Sequence, residues 1–411
     1  MADVGALRHD GVPIGPPLTV DAVARLALEN NPDLLATRSQ HGIAQAQLLE
    51  AGLLPNPQVT GALLPLAAGV GTTNAWNAGI SEDIRSLITL SARRTGAQAA
   101  AQQVDAQILW QEWQTIGQAR LLAVDLIQGQ QMLRLLTQVR DLLANRNLRS
   151  QAALARGNAT IATIAPDLAA LQAAQTQLDD AERLQLSRRH QLNALLGLSP
   201  DFVLPLAGSA DVPPVDPTVV ERQLPSLARR RPDLVALQLG YRAQDAKVRA
   251  AILAQFPNLT FGVTGASDNS NVRNVGPQIT LDLPVFDRNQ GNIAIERATR
   301  RQLHDEYTAR LTAAEGQVRA MLSEMAQLRQ QRHLVLADLS RTNRMAAQGQ
   351  AALLSGNLDE RNYVDLVSAR LAREQEIVSL EQSLLEQRVA IATLIGSGMP
   401  PIIIPKEEAN S

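Results

Sequence analysis

The sequence predicts a mainly α protein with a small β part, built twice over from a helix, two strands, a long helix and a returning helix. Three observations carry this. A heptad spacing runs through 292–355, four short alternating segments fall into two pairs, and one set of local motifs recurs after about 200 positions. The chain has 411 residues but only 2% aromatics. Ala, Leu, Gln and Arg dominate, which suits helices packed through small and aliphatic side chains.

In chain order, Met1–Pro17 is rich in Gly and Pro and reads as an extended N-terminal segment (1–17). Thr19 is a natural N-cap for a helix over 20–29. Asn31-Pro32-Asp33-Leu34 then restarts a helix to about Leu54. The same device returns at Arg231-Pro232-Asp233-Leu234, 200 positions later, opening a helix that ends near Phe256.

The correspondence continues. Pro55-Asn56 matches Pro257-Asn258, Arg156-Gly157-Asn158 matches Ser355-Gly356-Asn357, and Asn193–Gly197 matches Ala392–Gly396. A tandem duplication of this length is far outside the periods of solenoid repeats. The chain therefore divides into a first repeat (18–197), a linker or equatorial segment with five prolines (198–224), a second repeat (225–397) and a C-terminal tail (398–411).

Each repeat carries a strand pair, expected at about 57–66 and 74–84 and at about 258–266 and 276–286. In the second pair Leu259, Phe261 and Val263 alternate with Thr260, Gly262 and Thr264, and Ile279, Leu281 and Leu283 alternate with Gln278, Thr280 and Asp282. One face is apolar and the other polar. The first pair repeats the sense more weakly, through Val59, Gly61, Leu63, Trp76, Ala78 and Ile80.

A long helix follows each pair. Over 292–355, Leu303, Tyr307, Leu311, Ala314, Val318, Met321, Met325 and Leu328 fall on coiled-coil steps that continue at Val335 and Leu339. Such a helix is on the order of 90 Å long and cannot bury its seam alone. Its first-half counterpart runs from about Ser91 to Ala155. The reversals at Gly157-Asn158 and Gly356-Asn357 suit tight helix-to-helix turns.

Several function classes are excluded by composition. A net charge of −2 gives no electrostatic footprint for nucleic acid. With no Cys and with His9, His41, His190, His304 and His333 scattered, no metal-ligand spacing exists. No catalytic motif is present, and Gly69-Val70-Gly71-Thr72-Thr73-Asn74 joins two strands instead of cradling a cofactor. The sequence thus offers no catalytic residue and no cofactor. No apolar run reaches the length of a transmembrane helix, and Met1–Asp10 is read as holding no secretory leader, so a signal peptide is absent from the chain as given.

An alternating sheet can still meet lipid, but only in a closed barrel, because open edges are not tolerated in a bilayer. Four strands cannot close one of useful bore. Three chains would supply about twelve, enough to leave a lumen, and would give the long helices their partners in a hollow bundle. Thr260, Thr264, Gln278, Thr280 and Asp282 would then line the barrel lumen. Against this stands the scarcity of aromatics for interfacial girdles, and a soluble coiled-coil scaffold without a channel is the alternative from another class.

The duplicated plan, Asn31–Leu34, Pro55-Asn56, Pro257-Asn258 and Leu283-Pro284-Val285-Phe286-Asp287-Arg288 together resemble the TolC family of outer-membrane efflux proteins. The run Leu283–Asn292 is similar to the CzcC-type branch, associated with divalent-cation export. The resemblance implies a homotrimer whose outer-membrane β-barrel joins a periplasmic α-helical barrel. It would be the exit duct of a tripartite system with a periplasmic adaptor (membrane fusion) protein and an inner-membrane RND pump. A drug-efflux or type I secretion duct of the same fold is the alternative within the family.

It further implies a periplasmic gate ringed by carboxylates after the turns, for which Asp365, Asp359 and Asp167 are the candidates, and an adaptor-contact tip at Gly157, Asn158, Gly356 and Asn357. Taken alone, those acids are ordinary solvated helix-surface residues.

Overall fold

The computed structural model describes residues 16–399 and 402. The N-terminal segment expected over 1–17 lies outside the described residues except for Pro16 and Pro17, and the tail over 398–411 except for residues 398, 399 and 402.

The helices are α1 (Val20–Asn30), α2 (Pro32–Ala51), α3 (Ile84–Ala155), α4 (Ile161–Leu195), α5 (Pro217–Gln223), α6 (Leu227–Arg230), α7 (Pro232–Leu253), α8 (Gln290–Leu354) and α9 (Glu360–Leu394). The strands are β1 (Gln58–Leu64), β2 (Ala75–Asp83), β3 (Asn258–Ser267) and β4 (Arg273–Asp282). Helix–strand–strand–long helix–helix thus occurs twice, and the chain is mainly α with one small sheet. No helix among the described residues is long and apolar enough to cross a membrane.

Local chemistry accounts for the boundaries. Thr19 caps α1, its hydroxyl accepting from the Ala22 amide at 3.2 Å. Asn31 caps α2 through the Leu34 amide at 2.8 Å, and its Nδ2 donates to the Leu195 carbonyl at 2.8 Å. The long helix α3 starts at Ile84, earlier than the periodicity suggests, because the Asp83 carboxylate accepts from the Arg85 amide at 2.9 Å and satisfies its first turn. Strand β4 covers Arg273–Asp282 instead of 276–286. At its start, Asp268 accepts from the Ser270 and Val272 amides at 2.9 and 2.8 Å and tightens the loop, so pairing extends to Ser267 opposite Arg273. Past Asp282, Pro284 lacks the N–H a ladder requires.

Both helix reversals end in the same motif. Gly157 and Gly356 have φ of +73° and +74°, and the amides of Asn158 and Asn357 each reach back to the carbonyls of Ala153 and Ala352 at 2.8 Å. This is a Schellman cap, which needs the left-handed conformation that glycine adopts without strain.

Two compact units form. One contains residues 16–36 with Trp110–Arg230 and 313–399. Its main core joins Val20, Val23 and Ala27 of α1 to Leu122, Val124, Ile127 of α3 and Leu192 of α4. In this unit the heptad seam of α8 is realised, with Ala314, Val318, Met325 and Val335 buried. Leu322 is buried beside a half-buried Met321, so the buried stripe is wider than the two-position seam. Helix α9 lies against α8, where a Cβ on Gly349 would come within 2.6 Å of Leu366, and against α3, where Trp113 Nε1 donates to the Thr393 carbonyl at 2.8 Å.

The other unit contains Thr37–Leu109, Arg231–Thr312 and Ile402. It holds the antiparallel sheet in the order β1-β2-β3-β4. The two hairpins are joined by pairing of β2 with β3. A small core of Ala106, Val235, Ala236 and Leu239 packs α3 on α7.

Candidate functional site

The sheet has two chemically opposite faces. Pairing sets Val59 opposite Ile80, Ile80 opposite Val263, and Phe261 opposite Ile279. These share a face with Leu63, Trp76, Val275 and Leu281, because cross-strand partners and alternate residues point the same way. That face is exposed: Val59 is 79%, Val275 81% and Ile279 66% accessible.

The opposite face brings together all five candidate lumen residues. Thr260 pairs with Thr280, Gln278 with Gly262, Thr264 with Gly276 and Asp282 with Asn258. The outer edges of β1 and β4 have no strand partner among the described residues. An apolar face of this extent, open to solvent, and two free edges describe a sheet that is incomplete by itself.

Near the reversals, the candidate acids have three different environments. Asp167 of α4 has no exposed side-chain surface. Its Oδ1 accepts from Arg146 Nε of α3 at 2.8 Å, and its Oδ2 accepts from Ser150 Oγ at 2.6 Å and from Arg361 Nη2 of α9 at 2.7 Å. Burial pushes the Asp167 carboxyl up, but the hydrogen bonds from Ser150, Arg361 and Arg146, with the charge of Arg146, outweigh it and hold the group below the usual aspartate range.

Asp365 of α9 is 60% exposed and accepts from Arg146 Nη1 at 2.5 Å. Asp359 is the N-cap of α9, accepting from the Asn362 amide at 2.7 Å and from its Nδ2 at 2.8 Å. Arg149 and Glu360 add an exposed ion pair between α3 and α9. The arrangement ties α3, α4 and α9 together at one end. Asp167 is thus an internal anchor here, Asp359 an exposed cap, and Asp365 an exposed acid paired with Arg146.

Gly157, Asn158, Gly356 and Asn357 are all exposed, and a Cβ on either glycine would meet nothing within 4 Å. Both turns therefore present open backbone.

Sequence reasoning missed a second acidic group in the helical unit. Gln382 Nε2 of α9 donates to Asp125 Oδ1 of α3 at 3.0 Å and to Glu386 Oε1 at 2.8 Å, and Arg188 Nε of α4 lies 3.3 Å from Asp125 Oδ2. Burial, then the hydrogen bond and charge of Asp125, push the Glu386 carboxyl up to about 7 against the opposing effects of Gln382 and Arg188. Nothing in the local spacing signals it, since Asp125 and Glu386 come from different repeats. No group of three or more His, Asp or Glu side chains among the described residues is arranged to hold a metal ion.

Comparison with known proteins follows the same lines. Residues 224–397 match the family model described as outer membrane efflux protein. The chain is 26% identical over 304 residues to the cobalt-zinc-cadmium resistance protein CzcC of Cupriavidus metallidurans, covering 71% of this chain and 69% of that protein. It is 27% identical over 179 residues to the outer membrane protein OprJ of Pseudomonas aeruginosa, covering 41% and 36% of the two. Among solved structures, CusC superposes with a TM-score of 0.73 at 16% identity, over 94% of this chain and 96% of that one.

Proposed function

We propose that this chain is a member of the outer membrane efflux protein family, whose model matches residues 224–397, and that it is a trimeric exit duct for an inner-membrane pump. The family is one of channels and not of enzymes. The observation that carries the trimer is the sheet. Its apolar face is exposed on all four strands, its polar face is continuous, and neither edge has a strand partner among the described residues. Three copies meeting at the edges of β1 and β4 would close about twelve strands into a barrel, with lipid outside and water within.

Thr260, Thr264, Gln278, Thr280 and Asp282 would line that lumen. Asp365 is the gate residue in this reading, three carboxylates converging near the turns to favour cations and resist anions. Asp167, held by Arg146, Ser150 and Arg361, would keep the helices of each subunit closed behind it. The open turns at Gly157-Asn158 and Gly356-Asn357 would receive a periplasmic adaptor, the other partners being an RND pump and outer-membrane lipid. A divalent metal cation is the cargo proposed, supported by the likeness to a protein named for cobalt, zinc and cadmium resistance.

Extraction and conductance test this together. The full chain should be recovered from outer membranes in detergent as a trimer and form cation-preferring channels in planar bilayers. Asp365→Asn should reduce that preference. A monodisperse soluble dimer obtained without detergent would overturn the duct, and an unchanged preference in Asp365→Asn would overturn the gate assignment.

A further inference from the structure

One cleft in the helical unit has an excess of positive charge that no carboxylate among the described residues neutralises. Its volume is about 530 Å³, and Arg329 and Arg332 of α8, Glu381 and Arg388 of α9, and Gln128 of α3 line it. Arg332 is committed to Glu381, with Nε and Nη2 at 3.1 and 2.7 Å from Oε1.

The other two arginines have carbonyl partners. Arg329 Nη2 donates to the Val215 carbonyl at 3.0 Å, and Arg388 Nη1 reaches the Val212 carbonyl at 3.4 Å. Neither forms an ion pair with a carboxylate among the described residues. Three guanidinium groups face one carboxylate, leaving two positive charges in excess.

Two buried polar atoms of these residues lack partners. Arg388 Nε is buried and has no hydrogen-bond partner. Gln128 is 5% exposed, and its amide oxygen also has no partner. Rotation about χ3 would present the amide N–H groups in place of that oxygen. Burial, and then the charges of Arg329 and Arg332, lower the proton affinity of Arg388, but a guanidinium does not lose its proton at any accessible pH, so the repulsion has no relief by titration.

We propose that this cleft is an oxyanion site for a phosphate-type dianion, with Arg329 and Arg388 as its principal donors and Arg332, oriented by Glu381, completing the positive wall. Two excess charges match a dianion. The planar donor forks suit tetrahedral oxygens. A phospholipid headgroup and free phosphate share this chemistry.

The test is calorimetric titration of the purified full chain in detergent at fixed ionic strength, with inorganic phosphate in one arm and dihexanoyl phosphatidic acid in the other. Saturable binding at one site per chain is expected. Arg388→Gln and the more exposed Arg329→Gln should each weaken it by about tenfold or more, with ligand-free melting close to that of the parent. Equal affinity in the two arms supports a site that reads the phosphate alone, and tighter binding of the lipid supports a headgroup site. Absence of binding in both arms would overturn the proposal. So would undiminished binding by Arg329→Gln, or loss of the trimer in Arg388→Gln without ligand, which would make these arginines a contact between subunits.

Discussion

Arg361 on the second returning helix places Nη2 2.7 Å from Oδ2 of Asp167 on the first, joining residues 194 positions apart. The same carboxylate takes Arg146 and Ser150, so a single fully buried acid connects α3, α4 and α9 just behind the two turns. A charge placed this way contributes little net stability while it is paired, but is costly when a partner is removed.

Asp167→Asn should therefore loosen the turn region by about 3 kcal/mol, because Arg146 and Arg361 lose the negative charge they share, Arg146 keeping only Asp365. Hydrogen exchange of the amides around Gly157 and Gly356 checks this, and in the duct reading single-channel conductance should rise. The pH dependence follows from the lowered Asp167 value. A depressed folded value gives a contribution that is fully present above the ordinary aspartate range and is lost as pH falls through the folded value. Protection of these amides should hold from neutral to mildly acidic pH and fail only in strong acid.

Glu386 should behave in the opposite sense. Its folded value is raised from the ordinary 4.5 to about 7, so its contribution is complete below about 4.5 and is lost as pH rises through about 7. Melting temperature followed from pH 5 to pH 8 should fall across this window. Glu386→Gln should flatten that slope, and an unaltered slope would remove Glu386 as its source.

Gly117 of α3 faces Thr393 of α9 so closely that an added Cβ would lie 2.6 Å from Oγ1 and 2.9 Å from Cγ2. Thr393 cannot easily withdraw, since its hydroxyl donates to the Val389 carbonyl at 2.8 Å and its own carbonyl accepts from Trp113. Gly117→Val is expected to cost about 1–3 kcal/mol through overpacking, measured by thermal or chemical unfolding. Gly316, which has nothing within 4 Å, should accept alanine with no loss or a small gain.

The two faces of the sheet should respond differently to the same charge. Val263→Arg puts a cation on the apolar face and should cost about 2–4 kcal/mol in a bilayer, reducing the yield of detergent-stable trimer. Thr264→Arg, one residue on and on the polar face, should assemble and shift ion selectivity. Equal effects of the two would contradict a barrel with lipid on one side.

The sequence by itself determined the fold class and the duplicated plan. Periods of two and seven residues are local properties, and the burial of Ala314, Val318, Met325 and Val335 follows from the heptad spacing alone. The recurrence of Asn31–Leu34 as Arg231–Leu234 and of Gly157 as Gly356 showed the architecture twice over, each glycine marking a left-handed cap that other residues adopt only with strain. The alternation of the strands likewise predicted which side chains share a face.

Only the tertiary structure decided what the charged residues do. Asp167, Asp359 and Asp365 look alike as acids near a turn, yet one is a buried anchor, one an exposed helix cap and one an exposed partner of Arg146. The partners that separate them, Arg146 and Arg361, come from other helices, and electrostatic pairing has no period along the chain. The arginine cleft and the Asp125–Glu386 pair were hidden for the same reason. Each joins side chains from distant helices, so its chemistry exists only once those helices are packed.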